Sequence, residues 1–151
     1  TATSKPAPTP TATTETASTS ITNGTTSAGS VNLTIGSAAS DDLTFDSQTL
    51  TAQTGSQVEL TFNNNAVNQQ HNWVLVQDGT KDQVATAGLG AGQDNNWVAP
   101  DDINVVANAP LLAAGESASV SFVAPAAGTY QFVCTFPGHN MTMFGTFEAT
   151  P

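Results

Sequence analysis

The chain has 151 residues, the length of one globular domain with a short segment to spare. Twelve Asp and Glu against two Lys, with no Arg, give a formal net charge of -10. That argues against nucleic acid or anionic lipid as partners, because both need cationic side chains to displace counterions. Only 9% of residues are charged and 38% are hydrophobic, so Thr, Asn, Gln and Ser do most of the solubilising, as suits an exported β-protein.

Of the first thirty residues, 24 are Thr, Ser, Ala or Pro, with Pro6, Pro8 and Pro10 in alternation. Such a segment cannot offset its ordering entropy by burial, so Thr1 to Ser30 reads as a flexible linker or membrane tether. Its reach is on the order of 30 Å as a flexible coil. The chain begins with Thr and shows no basic segment followed by an apolar run, so any export signal or anchor has been removed or lies outside it. From Val31 to Pro151 a folded domain is expected. Its period is two: Val31, Leu33 and Ile35, then Leu43 and Phe45, then Val58, Leu60 and Phe62. NWVLVQ (Asn72 to Gln77) continues the series. Lys81 to Gly92 has weak helical character, and three Gly residues limit it to a turn or two before an irregular loop to Pro100. Ile103 to Ala114 is apolar but far short of the roughly 20 residues of a membrane span, and is broken by Asn104, Asn108 and Pro110. Strands are again expected at Ser117 to Pro125, Gly128 to Cys134 and Met143 to Thr150. Seven or eight strands in about 120 residues mean an all-β sandwich.

The chemistry lies in CTFPGHNMTMF, Cys134 to Phe144. Cys134 continues the inward alternation of Tyr130 and Phe132, so its sulfur points into the sandwich. Pro137-Gly138 turns the chain and brings His139 back toward the same point. Met143 opens the next strand and can approach from below, while Met141 competes with it formally. The other histidine, His71, precedes NWVLVQ at a strand end that a sandwich can place beside this loop. One thiolate, two imidazoles and a weak axial thioether are the donor set of type 1 copper, Cu(II)/Cu(I). A site fixed between the preferences of the two oxidation states needs little rearrangement when an electron moves.

HNW at the first histidine and CTFPGH followed at the fourth residue by Met resemble the cupredoxin family, in its azurin-like branch. HNWVLV, GTYQFVCTFPGH and the Thr/Ala/Pro-rich leader are similar to auracyanins, small blue copper proteins of filamentous anoxygenic phototrophs. The resemblance covers Val31 to Pro151 and implies a Greek-key β-sandwich with copper near one end. It implies a single copper ion held by His71, Cys134 and His139 with Met143 axial, its spacing favouring Met143 over Met141. It implies that Asn72 ties the two ligand loops together and that Thr135 and Phe136 supply structure and backbone N–H near the sulfur. Two departures stand out: azurins carry Gly where this chain has Gln70, so no fifth contact is assigned there, and a disulfide is impossible with one cysteine.

The expected function is that of a one-electron carrier, exchanging electrons along an exposed edge of His139 flanked by Phe136, Pro137 and Met141. The resemblance implies a membrane quinol-oxidising complex as donor, a c-type cytochrome or photosynthetic reaction centre as acceptor, and the periplasmic side of the membrane. A copper oxidase or nitrite reductase domain would need a second copper, typically with further histidines, and both histidines are already used. The alternative is a copper delivery or storage module, which would want an exposed, exchangeable site. Trp73 and Trp97 read as packing rather than electron relays. Asp41-Asp42 and Asp101-Asp102 read as solvated loop charge, since adjacent residues of an extended chain face opposite ways.

Overall fold

A computed structural model describes residues 28–151. Most of the expected linker, residues 1–27, lies outside the described residues, and the first strand begins at Ser30. Among the described residues there are eight strands and one α-helix. In chain order they are β1 (Ser30–Gly36), β2 (Thr49–Gln53), β3 (Gln57–Asn63), β4 (His71–Gln77), α1 (Lys81–Ala91), β5 (Val105–Leu112), β6 (Ser117–Val123), β7 (Gly128–Val133) and β8 (Phe144–Thr150).

Two sheets form: β1-β3-β6 and β2-β8-β7-β4-β5. β1 runs parallel to β3 and β2 parallel to β8, and the other pairs are antiparallel. The alternating residues face one another across the sandwich: Val58, Leu60 and Phe62 from β3, Trp73 and Leu75 from β4, Phe132 from β7 and Phe147 from β8 share one buried cluster. Trp73 stacks on Phe132 with centroids 6.2 Å apart.

β4 is buried from His71 through Val76 because it is covered on both faces. Trp73 and Leu75 enter the inter-sheet core, whereas Val74 and Val76 pack with Val84 of α1, Val98 and Val133 on the outer face. A strand with two apolar neighbours reads as a continuous hydrophobic run, not an alternation. This outer layer also corrects the expectation of a helical turn or two: α1 is 11 residues long. Val84, Ala85 and Gly88 line its buried side, and the packing of that face outweighs the weak propensity of its glycines. A Cβ on Gly88 would fall 2.0 Å from Trp97 O, so only glycine lets the helix lie this close to the following loop.

The strand expected at Leu43 and Phe45 is instead a loop with a single bridge, Ser37 to Phe45. Asp46 Oδ1 accepts from Gly36 N at 3.0 Å, one of the local bonds that replace a ladder. Phe45 nevertheless turns inward, its ring 5.2 Å from that of Phe132. β2 and β5 are strands that hydropathy alternation did not reveal. β5 contains Pro110, which an edge strand tolerates because its outer N–H positions need no ladder partner.

Candidate metal centre

β4 lies antiparallel to β7, and β7 to β8, so the start of β4, the end of β7 and the start of β8 meet at one end of the sheet. His71 opens β4, Cys134 directly follows β7, and Met143 directly precedes β8. Between Cys134 and Met143 the chain turns at Gly138 (φ 84°) into a single 3-10 turn, His139–Met141. His139 N donates to Phe136 O at 2.9 Å, Met143 N to His139 O at 2.8 Å and Cys134 N to Met143 O at 3.0 Å, closing the loop on itself.

The result is a cluster of three atoms able to ligate a metal. Cys134 Sγ lies 3.8 Å from His71 Nδ1 and 3.6 Å from His139 Nδ1, and the two Nδ1 atoms are 3.2 Å apart. Cys134 and His71 are fully buried, while His139 keeps 5% of its surface. Met143 is fully buried within the same apolar cluster as Cys134, whereas Met141 is 71% exposed. The structure therefore separates the two competing thioethers: Met143 belongs to the interior and Met141 to the rim.

The donor set suits a thiophilic, imidazole-binding ion. Burial pushes the Cys134 thiol up to about 11, with the backbone N–H groups of Asn72 and Phe136 pulling the other way, so at neutral pH a cation must displace its proton. Burial, and next the charge of His139, hold His71 down to about 4 against a weaker opposing pull from Asp41. Burial also lowers His139. Both imidazoles are thus neutral and available at neutral pH. Among the described residues, these three form the only group of His, Cys or carboxylate side chains placed closely and numerously enough to hold a metal.

Beside the cluster, Asn72 links two segments through its side chain. Its Oδ1 accepts from Thr135 N and its Nδ2 donates to Thr135 Oγ1, both at 2.8 Å, bridging the loops that carry His71 and Cys134. Thr135 N is thereby given to Asn72 and not to the sulfur. The Phe136 ring lies 4.6 Å from that of His139, with Trp97 edge-on to it at 6.0 Å. Pro137 is half-buried in the same loop.

Several supports went unseen in the sequence. Asn64 Nδ2 donates to Gln69 O at 2.8 Å and to Leu112 O at 2.9 Å, fixing the chain as it enters His71. Asp41 is more than solvated charge: Oδ1 accepts from Val67 N at 3.0 Å and Asn68 N at 2.9 Å, and these bonds, Asn68's first, hold its carboxyl below the usual range. Lys81 Nζ donates to Asn140 O at 3.2 Å and Asn140 Nδ2 to Asp82 Oδ1 at 2.8 Å, tying α1 to the 3-10 turn. Isolated Asn, Asp and Lys residues in polar loops carry no pattern that would single them out.

Two sheets closed over one core, with two imidazoles and a thiol converging where three strand ends meet, define a small copper-binding β-sandwich. The family model of copper binding proteins, plastocyanin/azurin family, matches residues 31–149, and the chain belongs to that family. It is 44% identical to auracyanin-A of Chloroflexus aurantiacus over 119 residues, covering 78% of this chain and 73% of that one. It is 46% identical to auracyanin-B of the same organism over 120 residues, which is 76% of this chain but only 50% of auracyanin-B. The solved structure of auracyanin A, a "blue" copper protein, superposes with a TM-score of 0.76 at 42% identity, over 81% of this chain and all of that one. The chain is thus an electron carrier and not an enzyme, and its centre binds one copper ion.

Proposed function

We propose that His71, Cys134 and His139 are the strong copper ligands, with Met143 as the weak axial one, and that this chain carries single electrons between a membrane quinol-oxidising complex and a c-type cytochrome or photosynthetic reaction centre. The observation that supports it is the approach of Sγ and two Nδ1 atoms to within 3.8 Å of one another. Copper held there supplies a one-electron couple between Cu(II) and Cu(I). The chain's own contribution is to fix the donors in advance, exclude water from them, and bring one ligand edge to the surface.

That edge belongs to His139, the least buried member of the cluster. Phe136 and Pro137 flank it and Met141 projects into solvent beside it, an apolar rim suited to brief contact with a partner. Burial of the three ligands favours a carrier over a delivery module. Residues 1–30 serve as a tether that holds the domain, residues 31–151, on the periplasmic side of the membrane.

The first test is a visible absorption spectrum of the copper-loaded protein before and after dithionite, with electron paramagnetic resonance on the oxidised sample. An intense blue band that bleaches on reduction, with narrow copper hyperfine splitting, is expected. A colourless, redox-silent protein with copper bound would overturn the ligand assignment. Reconstitution with membranes of a quinol-oxidising chain then tests the partners: reduction of the blue band by quinol is expected, and its failure removes that donor.

A further inference from the structure

We propose that Asn96 is a positioning residue of the copper centre, acting through Asn72 on the loop that carries Cys134. The inference rests on the ligand reading above, in which Asn72 braces that loop. Asn72 is fully buried, and its carboxamide uses both Nδ2 hydrogens while Oδ1 accepts one bond. Besides its two bonds to Thr135, Nδ2 donates its remaining hydrogen to Asn96 O at 2.8 Å. A flipped carboxamide would set NH2 against the N–H of Thr135 and a carbonyl against that of Asn96. With the side chain sealed from water, Asn96 O makes a single orientation of Asn72 the satisfied one.

The aim of that carbonyl is itself built. Asn96 caps a 3-10 turn, Gln93–Asn95, in the left-handed conformation (φ 55°, ψ 28°). Asn enters this region several-fold more readily than most other non-glycine residues. Its own Oδ1 accepts from Leu111 N at 3.1 Å, pinning the turn to β5. The next residue, Leu112, is the register partner of His71. Asn96 therefore ties the strand beside one ligand to the side chain that holds the loop of another. It stands 24 residues from Asn72 and outside the ligand motif.

The test uses copper-loaded protein and reads the energy of the blue absorption band, the copper hyperfine splitting and copper affinity by competition. Asn96→Ala is expected to shift the band, widen the splitting and weaken copper binding about tenfold, the low end of the range for residues that orient metal ligands. Asn96→Gly keeps the left-handed backbone and loses only the Leu111 anchor, so a smaller change in the same direction is expected, and it serves where the Ala variant fails to fold. In the Asn72→Ala background, Asn96→Ala is expected to add nothing further, because its effect passes through the lost carboxamide. Native spectra and affinity in both Asn96 variants, or an equal added effect without Asn72, would overturn the proposal while leaving the ligand reading intact. An Asn72→Ala protein with native spectrum and affinity would remove the underlying brace itself.

Discussion

Met143 shows how much a single side chain at this centre decides. It is sealed in the core beside Cys134, so Met143→Leu nearly conserves its volume and is expected to cost only about 1 kcal/mol of stability. Removing the proposed weak thioether donor favours Cu(I), so the blue colour should persist while the reduction potential, measured by redox titration, rises. An unchanged potential would transfer the axial role to another group. Cys134→Ser should abolish the intense visible band while a folded circular dichroism spectrum remains, because the charge-transfer transition belongs to the thiolate. The histidines supply a pH dependence. The unfolded chain takes up a proton on His71 near 6.5, but the folded copper-free protein, through burial, resists until about 4. Between those values the unfolded state binds more protons, so the stability of the copper-free protein should fall as pH is lowered through this window. Thermal melts of copper-free protein from pH 7 to pH 4 check this, and a flat profile would mean that the imidazole is not sealed from water.

At the scale of elements, α1 is the piece whose packing reaches furthest. Gly88→Ala improves helix propensity by about 1 kcal/mol. The added methyl would overlap Trp97 O, however, and overpacking of this kind costs about 1–3 kcal/mol. The steric term is expected to win, so chemical denaturation should show net destabilisation. At the other end of α1, Lys81 lies over the Phe144 ring at 4.4 Å while bonding Asn140 O. Lys81→Met should release the 3-10 turn that carries His139, read as faster hydrogen exchange at Thr142 and Met143, whose N–H groups bond His139 O, with little change at β7. Since Lys81 pairs with a largely exposed Asp82, the stability cost should be no more than about 1 kcal/mol. β3, β6 and β8 were legible in the sequence because each presents an alternation to one buried face. β2 was not, since Leu50 and Ala52 are its only apolar residues and its strand character comes from pairing with β8. The strand expected around Phe45 failed for the converse reason: the residue turns inward as alternation implies, but local bonds hold its backbone.

For the molecule as a whole, the copper centre was more legible than the fold around it. Its chemistry requires residue types that are scarce here, one Cys and two His, and the short loop keeps three of the four proposed ligands in one reading frame. The braces at Asn64, Asn96 and Asp41 were hidden because their partners are distant backbone groups. Charge acts at this scale too. Lys81 is the only lysine among the described residues, and its side chain is just 16% exposed, so the acidic surface is almost uninterrupted. Association with a basic redox partner should slow as salt rises, a dependence that stopped-flow electron transfer would measure. A rate indifferent to salt would leave docking to the apolar rim alone. The sheet order also bears on how the protein is made. β8 lies between β2 and β7, so until the final strand is available the five-stranded sheet is split in two and its interior position is empty. The ligand loop that β8 closes cannot be held in place earlier, and nearly the whole domain must leave the ribosome before a lasting copper site exists. Lasting metal insertion must therefore wait until β8 has been made, and a chain exported unfolded would meet its copper only after crossing the membrane.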